Sequence, residues 1–257
     1  MLLKIQDDSM KLLYLITLVG VFIIFTILFF SFFEMPKNGF IGHFHVSAVK
    51  CVDGNSTYEE TTEEAVKLKF DFIVMTDHRM CDENVKKCLN ETRILCIPGQ
   101  IVSTPKGYVH VVDAKMAIPP ELYYLGEIPN ISTKDTDYFV NLTFEEIVKR
   151  AHEQGAIAMI DDNVVWRNGT DELKNVKFDA IQSNDEKTCK NISKNFGLPC
   201  TFSSHAHNET DLKYMYSLCK ADSLTREAIK DAIKEGKCEI YMPLSLKIRN
   251  FFLSYVI

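Results

Sequence analysis

The chain has 257 residues, 46% of them hydrophobic and 11% aromatic, enough for one sizeable core in a single α/β domain. A formal charge of −6 and a pI near 5.7 leave no basic stripe to follow phosphates, so nucleic acid is not expected as a partner. Lysines and arginines are scattered, and the densest group, Lys86-Lys87, reads as an ordinary solvated face.

Residues 1–11 form a short polar tail, and Leu12–Phe33 is an apolar run of 22 residues. At 1.5 Å per residue a helix of that length covers about 33 Å, slightly more than a hydrocarbon core. A cleavable signal peptide has a shorter apolar region and a small-residue cleavage site, and Phe30–Met35 offers none. The run is therefore expected to be a retained transmembrane helix and a membrane anchor. Flanking charge favours a cytoplasmic N-terminus only weakly, since Asp7 and Asp8 accompany Lys4 and Lys11. The remainder of the chain bears on orientation more strongly. It carries seven N-x-S/T sequons, at Asn55, Asn90, Asn130, Asn141, Asn168, Asn191 and Asn208, where chance predicts about two. All eight cysteines also follow the anchor, from Cys51 to Cys238, and an even count outside the cytoplasm suggests disulfides. The expectation is a single-pass protein of the cell membrane with its main domain, residues 38–243, extracytoplasmic.

Beyond the turn-rich Pro36–Gly39, apolar runs alternate with helical patterns. Strands are predicted at Phe40–His45, Phe72–Thr76, Ile94–Ile97, Tyr108–Asp113, Ile157–Asp161, Ala180–Ser183, Cys200–Ser204 and Cys238–Tyr241. Helices are predicted at Thr61–Lys69, Phe144–Gln154, Cys189–Asn195 and Thr225–Glu235. Thr143 with Glu146 forms a capping-box pattern, Gly155 closes that helix, and Thr225 caps the last one. Strands alternating with helices of about ten residues imply βα units around a largely parallel sheet. Pro119–Tyr138 reads as a long surface loop, and Leu244–Ile257 as an apolar tail too short to span a bilayer. That tail either packs on the domain or lies against the membrane surface.

Six of the seven histidines sit in four short segments: His43-Phe44-His45, Thr76-Asp77-His78, Gly107-Tyr108-Val109-His110 and Ser204-His205-Ala206-His207. Most stand at the end of a predicted strand, where α/β folds collect their chemistry. Imidazoles at strand ends can converge on one pocket, and imidazole is the commonest protein ligand for Zn, Mn and Fe. The plain alternative is a disulfide-stapled surface protein whose histidines are structural.

Taken in order, these segments resemble the PHP (polymerase and histidinol phosphatase) superfamily over residues 40–241. The resemblance rests on His43-Phe44-His45, Asp53-Gly54, the strand ending in Thr76-Asp77-His78, Pro98-Gly99-Gln100, His110, Asp161, Ser204-His205-Ala206-His207 and the closing helix through Gly236. It implies an α/β fold, a distorted (β/α)7 TIM-like barrel, here preceded by the transmembrane helix. It also implies a metal-dependent hydrolase acting on phosphate esters, with a small phosphorylated molecule as substrate. The implied metal ligands are His43, His45, His78, His110, His205 and His207, with Asp161, Asp53 and Gln100 beside them. Asp77 would orient a metal-bound imidazole, while Arg79, and more distantly Arg167, would hold a substrate phosphate. Three positions depart from the pattern: Gln100 stands where relatives have a bridging Glu, His205 replaces an Asp, and Asp161 replaces a His. Losing about one negative charge weakens the offset of cation repulsion, so one or two divalent ions (Zn, Mn or Fe) are expected rather than three. The second reading is a non-catalytic metal- or partner-binding surface module built on that fold.

Overall fold

The structure is a computed structural model that describes residues 14–26, 38–48, 55–78, 80, 82–118, 140, 142–168, 173–204, 206–213 and 215–241. The chain divides into two units, Asn38–Met242 and a second made of Met1–Lys37 with Pro243–Ile257. In the second unit residues 14–26 are helical and carry large apolar side chains exposed on every side, including Phe22 and Phe25. Among the described residues no helix is long and apolar enough to cross a membrane. The ends of the predicted span, residues 12–13 and 27–33, lie outside the described residues, as do the loop 119–138 and the tail 244–257.

Among the described residues the larger unit is a nine-stranded α/β barrel. Its strands are β1 (Phe40–Val46), β2 (Phe72–Asp77), β3 (Leu95–Thr104), β4 (Gly107–Val112), β5 (Ile157–Asp161), β6 (Ala180–Ser183), β7 (Cys200–Phe202), β8 (Tyr216–Cys219) and β9 (Cys238–Tyr241). The helices are α1 (Tyr58–Lys67), α2 (Asp82–Asn90), α3 (Phe144–Glu153), α4 (Asp162–Asn168), α5 (Glu186–Phe196) and α6 (Arg226–Lys234). Strand order is β7-β6-β5-β4-β3-β2-β1-β8-β9. The chain after β7 then returns to β1: Ala206 N–H donates to His45 O and Ser47 N–H to Ala206 O, both at 3.0 Å. On β8, Ser217 Oγ accepts from Phe202 N–H at 3.1 Å and donates to Phe202 O at 2.9 Å, a side-chain substitute for ladder bonds that nearly closes the barrel.

The sheet is mixed, which corrects the expected largely parallel one. Pairs β1–β2, β2–β3, β5–β6 and β6–β7 are parallel, but β4 runs antiparallel to both its neighbours and β8 antiparallel to β1 and β9. The cause is local. Pro105 and Lys106 make a two-residue turn before Gly107 (φ +132°), so β3 and β4 form a hairpin rather than a βαβ unit. β3 also runs on through Pro98-Gly99 to Thr104 instead of stopping at Ile97. Gly99 permits this crowding, because a Cβ there would stand 2.6 Å from Val111 O and 2.9 Å from Thr76 Cγ2. The strand β8 and the helices α2 and α4 were not predicted.

Thr143 caps α3 with both halves of its capping box in place, and Thr225 caps α6. A second capping box, Thr57 with Glu60, starts α1 three residues before the predicted Thr61. The barrel interior is filled by Phe44, Phe72, Val74, Ile97, Val112, Ile157 and Met159, and Ile229 and Ile233 of α6 join the same cluster. Among the described residues there are three disulfides: Cys88–Cys96 ties α2 to β3, Cys189–Cys200 ties α5 to β7, and Cys219–Cys238 ties β8 to β9. Cys51 and Cys81 lie outside the described residues.

Candidate metal centre

His45, His110, His207 and Asp161 come together at the C-terminal ends of the parallel strands. The ring centroids of His45 and His110 are 4.9 Å apart, and those of His45 and His207 are 5.9 Å apart. His110 Nε2 lies 3.1 Å from Asp161 Oδ2, both groups being fully buried. Sheet register explains the meeting. His110 pairs with Met159, so it shares a face with Met159 and with Asp161 two residues on. His45 reaches the same place through an irregularity in β1, where three steps from His43 to Val46 stand against two from Ile73 to Met75.

A carboxylate only accepts, so His110 donates from Nε2 to Asp161. His43 is built in differently. Its Nδ1 accepts from His45 N–H at 3.2 Å, and its Nε2 lies 3.0 Å from Ser204 Oγ, which itself donates to Asp211 O at 2.8 Å. His43 Nε2 also accepts from Ser204 N–H at 3.3 Å, so His43 links the strand carrying His45 to the loop carrying His207. Asp211 completes that loop by accepting from the N–H groups of His207 and Asn208 at 3.1 and 3.3 Å.

His78 stands further along the same hairpin face. Its Nδ1 is 2.8 Å from Ser103 Oγ, and its ring meets Tyr108 edge-on at 5.4 Å. Ser103 pairs with Tyr108 and Ile101 with His110, so His78 is displaced from His110 by one two-residue step, about 7 Å. Asp77 is buried: Oδ1 accepts from Ala48 N–H at 2.8 Å, and Oδ2 accepts from the side-chain Nδ2 of Asn84 at 3.2 Å. It thereby ties the exit of β1 to the first turns of α2. Asp162 is bound to Ser183 Oγ, and burial pushes its carboxyl above the usual range.

Gln100 stands apart, which corrects its placement among the ligands. It pairs with Val111, on the opposite face from His110, and its amide is committed: Nε2 donates to Ile118 O at 3.0 Å and Oε1 accepts from Ile118 N–H at 2.7 Å. Asp53, Arg79 and His205 lie outside the described residues, as does the side chain of Arg167. The seventh histidine, His152, bonds Asp179 on the exposed outer side of the barrel. Sequence reasoning missed Ser103, Ser204 and Asp211 because serines and aspartates are common in loops, and only the fold shows which of them meet imidazoles.

The donor set suits a borderline divalent cation, since three imidazoles and one carboxylate are the ligand types that hold Zn, Mn or Fe. Among the described residues, however, no group of three His, Cys, Asp or Glu converges tightly enough to hold an ion as it stands.

No protein-family model and no curated protein matches the chain. Solved structures do. A two-domain protein from Bacteroides vulgatus containing a predicted PHP-like metal-dependent phosphoesterase superposes with a TM-score of 0.60 at 11% identity, over 82% of this chain and 68% of that one. What the two share is the fold. The lesion-specific endonuclease PfuEndoQ from Pyrococcus furiosus gives a TM-score of 0.58 at 17% identity, over 78% of this chain. This chain spans 57% of that endonuclease's length. PsfC from Pseudomonas syringae matches over its whole length and 86% of this chain, with a TM-score of 0.56 at 12% identity. A further structure, of an Endonuclease Q complex, holds a 27-mer duplex with an abasic lesion at the active site.

Proposed function

We propose that this chain is a metal-dependent phosphoester hydrolase, anchored at the cell membrane by Leu12–Phe33 with its barrel outside the cytoplasm. The observation that carries the catalytic half is the meeting of His45, His110, His207 and Asp161 at the strand ends. The outward placement is supported by the sequons and by the three disulfides. A bound divalent ion would supply Lewis acidity and lower the pKa of a water toward neutrality. His45, His110 and His207 would hold it, with Asp161 keeping His110 in one tautomer and orientation. One or two ions suit this site better than three, because Gln100 faces away and brings no bridging charge. Among the candidates, Arg79 has the charge to bind a substrate phosphate. The substrate class is a small phosphorylated molecule, given an acidic chain with no basic stripe.

The second reading, a non-catalytic metal- or partner-binding module, is favoured by one observation, the commitment of Gln100 to Ile118. One experiment separates the two. The full chain is purified in detergent without added metal, its metal content is measured, and turnover of a generic phosphodiester is followed. A hydrolase retains metal and turns over, and Asp161→Asn lowers metal affinity or rate about 10–100-fold. Metal without turnover selects the binding module. A metal-free protein in which His45→Ala changes nothing rejects the hydrolase and the metal-binding module, and leaves partner binding.

A further inference from the structure

We propose that the mouth of this barrel is glycosylated at Asn55 and Asn208, and that the two glycans restrict the site to small ligands; this rests on the outward placement of the barrel proposed above. Both residues head sequons, Asn55-Ser56-Thr57 and Asn208-Glu209-Thr210. The fold brings these distant triplets together beside a candidate metal ligand. Asn55 N–H donates to the carbonyl oxygen of His207 at 2.7 Å. Ser56 Oγ donates to Glu209 Oε2 and accepts from Glu209 N–H at 3.1 Å, across 153 residues of sequence. His207 therefore sits between two sequon asparagines, one exposed (Asn55) and one half-buried (Asn208).

The local chemistry tolerates the modification. Among the described residues Asn208 is held through its oxygen: Oδ1 accepts from the N–H groups of Thr210 and Asp211 at 2.9 and 3.2 Å, and from the Thr210 hydroxyl. A glycan replaces one hydrogen on Nδ2 and leaves Oδ1 an acceptor, so the turn that holds His207 survives. Asn90 and Asn191 also head sequons and are exposed, but they lie elsewhere. Asn90 ends α2, which runs back from the top of β2 toward the start of β3, and so it stands at the opposite end of the barrel. Asn191 lies within α5 on the outer ring of helices. Glycans there would coat the outside and leave the mouth alone. A bulky sugar on each side of His207 would bar a wide, rigid molecule such as a duplex while a small ester passes.

The test uses the full chain expressed in a glycosylating secretory host. Glycopeptide mass mapping should find glycan at Asn55 and Asn208, the first lost in Asn55→Gln and the second in Thr210→Ala. The latter variant ends the sequon yet keeps Asn208 and the N–H it accepts from. In chelator-stripped protein a small imidazole-acylating reagent should modify His207 with or without glycans, and the same reagent coupled to dextran should do so only after enzymatic deglycosylation. Glycan at Asn90 and Asn191 with none at Asn55 and Asn208 would overturn the glycosylated rim while leaving the outward placement standing. Equal access for the dextran-coupled reagent before and after deglycosylation would overturn the size restriction. A chain bare at all seven sequons would overturn the rim and the outward placement together, and an absence of turnover would bear on the hydrolase alone.

Discussion

The Gln100 carboxamide and the Ile118 backbone exchange two hydrogen bonds, at 3.0 and 2.7 Å, so this side chain pins the chain where it leaves the barrel toward residue 119. Gln100→Glu should therefore not raise metal content, as the resemblance alone would suggest. The new carboxylate still accepts from Ile118 N–H but faces Ile118 O without a hydrogen to share, a buried mismatch worth about 1–3 kcal/mol. Denaturant unfolding together with metal analysis checks both halves. Glu91 makes a pH prediction. The Arg93 guanidinium beside it, with backbone N–H groups of Thr92 and Arg93, holds its carboxyl down at about 2 from an ordinary 4.5. A folded-state value below the unfolded one stabilises above pH 4.5, and the gain is lost as pH falls through about 2. Because Arg93 is exposed and solvent screens the pair, Glu91→Gln should cost no more than about 1 kcal/mol at neutral pH, and the gap to the parent should close across that window in unfolding curves. At this scale the candidate site was partly legible. The H-x-H, T-D-H and strand-end Asp161 signals are short-range, whereas the partner that fixes each imidazole is remote in sequence.

Each disulfide joins neighbouring elements and closes a loop of modest size, with sequence separations of 8, 11 and 19 residues. Cross-linking removes entropy from the unfolded chain in proportion to the logarithm of loop length, so Cys219–Cys238 should contribute most, about 3 kcal/mol. The pair Cys219→Ala and Cys238→Ala should lower the denaturation midpoint more than the equivalent change at Cys88 and Cys96. The reverse order would mean that native strain or unfolded-state structure outweighs loop entropy. Several elements were readable because their signals are local. A capping box marks α3, Thr225 caps α6, and apolar runs mark β1, β2 and β5. β8 escaped because it is only four residues, Tyr216–Cys219, with a serine in its middle. That serine is there to bond Phe202 across the barrel seam, a need invisible until β7 and β8 are adjacent.

For the whole molecule, the anchored arrangement predicts that protease added to intact cells removes the barrel and leaves the N-terminal segment with the membrane. Full protection of the barrel would reverse the proposed orientation. What the sequence by itself determined was local chemistry: apolar runs, caps, the parity of cysteines, and the order in which histidines fall at strand ends. These follow from periodicity and backbone hydrogen bonding within a few residues. Only the tertiary structure decided that β4 turns back on β3, that Gln100 faces away from the imidazoles, and that His110 meets Asp161 and His43 meets Ser204. Those pairs are 51 and 161 residues apart. Their meeting depends on strand register and barrel closure, which are fixed by packing across the whole sheet rather than by any local run of residues.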